Sequence, residues 1–324
     1  MRYPREVVEK GVVMPAIITH HLFGEDIVAE LPAGLIDGEE ELLAFLLGNQ
    51  GPDPLYMRFL TLPSRAAAIH QVAAAIHGSR ATRAFLAVRD GVSHLPASDE
   101  RVGRAFALGL LGHYALDRAA HPFVISQQRA ICGLEDSLGR ARAEVHAVIE
   151  SDIDTWILWE KRRATVQERP AVDYLMRTDK IERVGGALFS QVALSVYGMP
   201  LSAGEYTACL RDYELLYRLI DPAGSPRTRT VAILERTVRR HSLAEAMAHY
   251  VRRSDDCPAA NLDCLPWQHP FTGEVRHESF ADLFDEARLA YPTLAEAFVR
   301  GDERHLRELA ATLNYEGRPE TDPA

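Results

Sequence analysis

The stretch Gly112-His113-Tyr114-Ala115-Leu116-Asp117-Arg118-Ala119-Ala120-His121-Pro122-Phe123 concentrates more chemistry than any other part of the 324-residue chain. On a helix, residues i and i+4 lie one turn apart on one face, so His113 and Asp117 point together and His121 follows a turn later. An imidazole and a carboxylate so placed form a two-donor ledge for a divalent cation. His146-Ala147-Val148-Ile149-Glu150 repeats the spacing, and Asp154, one further turn along, is a candidate acceptor to fix a ligand's orientation. Nitrogen and oxygen donors without a nearby cysteine suit Zn2+ in a site with open positions better than a closed structural site. The residue before a proline is biased away from helical geometry, so Pro122 predicts that the helix ends near His121.

A single His-x-x-x-Asp or His-x-x-x-Glu pair is usually a solvated helix contact worth ~0.2–0.5 kcal/mol. Two features argue against that here. His113 and Asp117 follow the apolar run Phe106 to Leu111, and His146 and Glu150 alternate with Val145, Val148 and Ile149, so both ledges turn toward an interior, where charges need partners or metals. Residues 122–145 between the ledges also suffice for a loop and a return. Further donors lie nearby in sequence. Met14-Pro15-Ala16-Ile17-Ile18-Thr19-His20-His21-Leu22-Phe23-Gly24 sets a His pair in an apolar segment, and Gly48-Asn49-Gln50-Gly51-Pro52-Asp53-Pro54 holds Asp53 in a proline-flanked loop. His70 and His77 share nearly one face of an Ala-rich helix, and either could supply another ligand.

The elements that must position these groups read as helices. Amphipathic or capped patterns run over Glu39–Leu47, Ser64–Arg89, Ser98 to about Ala120, and Leu138–Lys161. Others run over residues 181–197, 202–220, 225–252, 278–299 and 302–313, and no segment alternates convincingly with period two. The expected class is all-α, one domain over residues 1–316, with a metal-ligand half (14–160) and a helical C-terminal half (161–316). Residues 254–277 read as a long binding loop or lid, and 317–324 as a disordered tail.

Composition narrows the partners. Lys plus Arg number 36 against 46 Asp plus Glu, a net charge of −10, and no basic run offers the clustered cations that a stable nucleic-acid complex needs. No apolar run approaches the ~20 residues of a transmembrane helix. The first ten residues lack the apolar run of a secretory signal, which gives a cytoplasmic expectation. The four cysteines are scattered, with no zinc or redox spacing.

With the motifs in this order, the first half resembles the zinc-dependent phospholipase C family, and in particular its uncharacterised bacterial, cytoplasmic branch. The resemblance rests on Thr19-His20-x-x-Phe23-Gly24, Gly51-Pro52-Asp53, a histidine on the next helix, Gly112-His113-x-x-x-Asp117, His121-Pro122 and His146-x-x-x-Glu150. It covers residues 14 to about 160, and is weaker around Asn261-Leu262, Trp267 and Ser279–Phe284. It implies the helical bundle shared by these enzymes and the fungal single-strand nucleases, holding up to three zinc ions. Asp53, His77, His113 and Asp117 would then hold one zinc, and His121, His146 and Glu150 a second. His20 and the bridging Asp117 would contribute to a third, and the family pattern prefers His77 to His70. Secreted members complete the third site with an amino-terminal tryptophan that this chain lacks, and the family-like start at Met14-Pro15 makes residues 1–13 an extension.

The resemblance implies zinc-dependent hydrolysis of a small-molecule or lipid phosphoester, with Asp53 also a candidate to orient or deprotonate the attacking water. Two alternatives keep the metals: a single-strand nuclease-like phosphodiesterase, disfavoured by the acidic charge, and a non-catalytic helical protein stabilised by its metals.

Overall fold

Helical periodicity governs almost every long segment of this chain, and the computed structural model, which describes residues 16–310 and 312–320, is correspondingly mostly helical. Among the described residues the α-helices are α1 (Ile17–Val28), α2 (Glu39–Gly48), α3 (Pro63–Gly78), α4 (Ala81–Ser93), α5 (Glu100–Cys132), α6 (Asp136–Gly139) and α7 (Arg142–Arg162). They continue as α8 (Asp179–Tyr197), α9 (Ala203–Ile220), α10 (Pro226–Glu235), α11 (Leu243–Met247), α12 (Phe280–Arg300) and α13 (Glu303–Ala310). The only paired strands described are two residues each, Trp267–Gln268 against Val275–Arg276.

The axis of the molecule is α5, whose 33 residues span about 50 Å. From Ala105 to Asp117 every residue is buried, and a helix apolar on all sides must be enclosed by others. The helices α1, α2, α4, α7, α8 and α12 pack around it. A close crossing is made at Gly48 of α2 and Gly109 of α5. A Cβ on either glycine would collide with the opposing backbone, so only glycine allows this approach. The core then extends outward through Phe23, Phe45, Phe85, Phe106, Tyr206 and Tyr291, all fully buried.

Several boundaries differ from the sequence reading. Pro122 does not end its helix: α5 continues to Cys132 and His121 keeps helical geometry. A proline inside a helix removes one N–H and crowds one turn, a local cost that the packing on both sides of α5 outweighs. The Ser64–Arg89 pattern breaks into α3 and α4 at Ser79-Arg80, where Arg80 is left-handed (φ 58°) and its guanidinium reaches the Val196 carbonyl. Residues 225–252 form only α10 and α11, because Glu235 accepts from the Ser242 hydroxyl and the Ala244 amide and so turns the chain back. Within the expected lid at 254–277, Trp267 is buried edge-on against Phe123 of α5. Residues 317–320 are not a loose tail. Gly317 is buried, and Glu320 accepts from the Ala81 amide and donates its own to Thr312. Residues 321–324, residues 1–13 and the Met14-Pro15 start lie outside the described residues.

Candidate metal centre

The loop after α2 is built to hold Asp53 beside α5. Asn49 caps the end of α2 by donating from its side chain to the Phe45 carbonyl, and the Gln50 side-chain amide donates to the Ile17 carbonyl at the start of α1. Gly51 is left-handed (φ 57°), and a Cβ there would overlap the His113 ring. Glycine is therefore required for this loop to lie flat on the imidazole. Asp53 follows in a 3-10 turn (Asp53–Met57), and its Oδ1 lies 2.9 Å from Nε2 of His77 on α3 and 3.8 Å from Nε2 of His113 on α5.

Asp117 stands at the middle of the centre. Its Oδ2 is 3.0 Å from His113 Nε2, 3.6 Å from His121 Nδ1 and 3.9 Å from His77 Nε2, and its Oδ1 is 3.1 Å from His20 Nε2. The His20 ring stacks on that of His113 with centroids 4.1 Å apart. The second ledge closes from α7: Glu150 Oε1 lies 3.1 Å from His146 Nε2 and 3.6 Å from His121 Nε2. Donor atoms thus converge in three groups, each within 4.8 Å: Asp53, His77 and His113; His20, His113 and Asp117; and His121, His146 and Glu150. Every one of these residues is buried. His70 is elsewhere, its Nε2 against the Arg58 carbonyl on the half-buried face of α3.

Hydrogen bonds to the histidine rings fix which nitrogen faces the centre. Nδ1 of His77 is held by the Ala73 carbonyl at 2.9 Å, Nδ1 of His113 by Asn49 at 3.0 Å, and Nδ1 of His121 by Tyr315 at 3.0 Å. A carbonyl can only accept, so each Nδ1 carries a hydrogen, and in the neutral ring each Nε2 then presents a lone pair. His77 Nε2, His113 Nε2, His146 Nε2, Asp53 Oδ1, Asp117 Oδ2 and Glu150 Oε2 all lack a hydrogen-bond partner although they are buried. Orphaned polar atoms are costly inside a protein, and their gathering within these groups is compatible with a place for cations.

Electrostatics agree. Burial alone would raise the Asp117 carboxyl, but the rings of His113, His121 and His20 hold it well below its ordinary range. Asp53 and Glu150 are likewise lowered by facing imidazoles against the effect of burial. Burial opposes charge on His20 and His121, yet the carboxylates raise both, His121 to about 10. Without a cation, protons on His20 and His121 help to balance the buried carboxylates, and a divalent ion could displace them. All eight residues named from the sequence as ligands therefore meet in one centre that could hold metal ions. Comparison with family models, curated proteins and solved structures returned no match.

Asp154 has a different place from the one its spacing suggested. It accepts from the Ile18 and Thr19 amides at 3.0 and 2.8 Å, and from His249 Nε2 at 3.2 Å, but contacts no ligand ring through a hydrogen bond. It holds the first turn of α1, and through that turn it places His20. Sequence reasoning missed His249, whose Nδ1 donates to Asp221 at 2.8 Å, and also Tyr315 and Asn49. His249 has no carboxylate at i+4, and the other two act through backbone atoms, which no residue-type pattern marks. Two narrow cavities adjoin the centre. One is bordered by His20, Asp117, His121 and Glu150, the other by Glu150, Asp154, Tyr217 and His249, and each is large enough for water.

Proposed function

We propose that this chain is a zinc-dependent phosphoester hydrolase with a helical fold of the phospholipase C and single-strand nuclease kind. The observation that carries the reading is the set of buried, partnerless Nε2 and carboxylate oxygen atoms on both ledges, converging without any cysteine. Asp53, His77, His113 and Asp117 would hold one zinc, and His121, His146 and Glu150 the other. His20 and Asp117 offer two donors toward a third.

When bound, the ions supply Lewis acidity toward phosphate oxygens. The chain supplies the rest. Carbonyls of Ala73, Asn49 and Tyr315 fix the ring tautomers, so the site is organised before substrate arrives. Asp117 faces His113, His77 and His20 on one side and His121 of the second group on the other, and so ties the groups. Asp53, which like Asp117 and Glu150 keeps one orphaned oxygen, is our candidate to orient a water or to take its proton. The cavity beside His20, Asp117, His121 and Glu150 is where a phosphoryl oxygen would enter, the bulk of the substrate requiring an opening of the surrounding segments.

One observation favours a second reading, that of a helical protein stabilised by its metals without turnover: no ligand is more than 6% exposed. Metal analysis of the purified full chain followed by a panel of phospholipid, nucleotide and simple phosphodiester substrates separates the two. Hydrolysis that disappears on chelation and returns with zinc is the expected result, and His113→Ala should lose at least one zinc together with activity. Zinc without turnover on any phosphoester would favour the second reading, while full zinc content and activity in His113→Ala would remove the assignment altogether.

A further inference from the structure

We propose that the C-terminal segment 312–320 is a working part of the metal centre, with Tyr315 as a positioning residue that ties one ligand of each ledge. This rests on the metal reading above. The Tyr315 carbonyl accepts from His121 Nδ1 at 3.0 Å, and its amide donates to the His77 carbonyl at 3.1 Å. One residue thus holds the ring of a ligand in the second group and the backbone of a ligand in the first. Its own ring is buried, with centroids 5.1 Å from His77 and 5.7 Å from His113. The other tautomer-setting carbonyls come from α3 itself and from the loop after α2, whereas His121 depends on the far end of the chain.

The segment is fastened for that purpose. Asn314, buried, donates to the Gly78 carbonyl at 3.1 Å and accepts from the Glu316 and Arg318 amides, closing a small turn. Tyr114 of α5 donates to the Leu313 carbonyl at 2.8 Å, and Glu320 accepts from the Ala81 amide at 3.0 Å. Gly317 (φ 67°) rests on the Arg118 carbonyl and the Pro122 ring, and a Cβ there would press into both. Pro122 has no N–H to give to the Arg118 carbonyl, so the proline that fails to end α5 instead makes a seat for the turn. Gly317 touches no ligand, yet its fit decides where the Tyr315 carbonyl lies.

An acceptor behind a metal-bound imidazole is typically worth 10–100-fold in metal affinity. The test compares the full chain, Gly317→Ala and a chain ending at Leu313. Zinc is titrated against a chromophoric chelator, and metal-free unfolding is followed separately. Weakening of the zinc facing His121, His146 and Glu150 by roughly 10–100-fold in both variants, with a smaller weakening of the zinc facing His77 and His113, and with Gly317→Ala still unfolding cooperatively without metal despite its strained alanine, is the expected result. If the truncated chain does not fold, Gly317→Ala carries the test alone. Two tight zincs at full-chain affinity in Gly317→Ala overturn the proposal, as does an equal weakening of both zincs that tracks a loss of metal-free stability. A full chain that binds no zinc would instead defeat the metal reading, before either variant is consulted.

Discussion

His249 and His113 are both fully buried beside aspartates, and they do opposite things. His249 donates through both ring nitrogens, Nδ1 to Asp221 and Nε2 to Asp154, and stacks on Tyr217. Every polar atom of that ring is used. His113 gives Nδ1 to the Asn49 carbonyl and leaves Nε2 partnerless among Asp53 and Asp117. The first arrangement is a closed ion pair that joins α7, the start of α1 and the segment after α11. The second is an open one that could take a cation. Residue type and burial are the same in the two regions; what separates a tie from a ligand is whether the second nitrogen is satisfied by something that accepts a hydrogen.

The comparison breaks most directly if the open region is no more sensitive to metal than the closed one. Zinc that binds only the folded chain adds about 4 kcal/mol of stability when present at 1,000 times its dissociation constant. Chelation should therefore lower the thermal midpoint of the full chain by several degrees, and added zinc should restore it. Zinc must displace protons from His20 and His121, whose pKa values are raised, so affinity should climb as pH rises. Calorimetric titration at several pH values, showing proton release, checks the sign. A midpoint indifferent to chelator would put His113 in the same class as His249.

Removing the tie should cost about 3–5 kcal/mol, because His249→Leu leaves the buried Asp154 and the part-buried Asp221 without their shared cation. Its pH dependence runs the other way from that of zinc binding. Burial alone would lower the His249 pKa, but the two aspartates raise it to about 10. The folded state thus holds this proton more tightly than the unfolded chain, whose histidine titrates near 6.5. The stabilisation is complete below about pH 6.5 and is lost as pH rises toward 10. Urea unfolding of metal-free wild type and variant across this range should show their difference shrinking. A difference that grows with pH would mean that the ring is neutral in the fold.

This contrast also explains what the sequence disclosed. His113, Asp117, His146 and Glu150 are legible because a helix converts spacing four into a shared face, a local rule that needs no knowledge of the fold. Asp53 was readable because glycine and proline around it announce a rigid turn. The helical class followed from periodicity in the same way. His249 meets Asp154 from 95 residues away and Asp221 from 28, after two short helices that the pattern had merged into one. Only tertiary packing decides such a meeting. Pro122 misled for a related reason: the bias against helix before proline is local, whereas α5 is held helical by the several helices packed against it.

Asp154→Asn should have the smallest effect, and it sharpens the comparison because Asp154 belongs to both regions. Its two oxygens accept from Ile18 and Thr19 at the start of α1, while one also receives His249. An asparagine keeps one acceptor and turns the other position into a donor, facing an N–H that it cannot satisfy. The expected loss is about 1–3 kcal/mol, the cost of one unsatisfied buried group, read by urea unfolding of the metal-free protein. The zinc titration should then divide the centre. His20 rides on α1 two residues beyond Ile18, so any ion that it helps to hold should weaken several-fold, whereas the ion facing His146 and Glu150 should not change. Equal loss at every ion would mean that the tie supports the whole centre; no loss would mean that the first turn of α1 keeps its place without Asp154, and that His20 is positioned by its stacking on His113 and its contact with Asp117 alone.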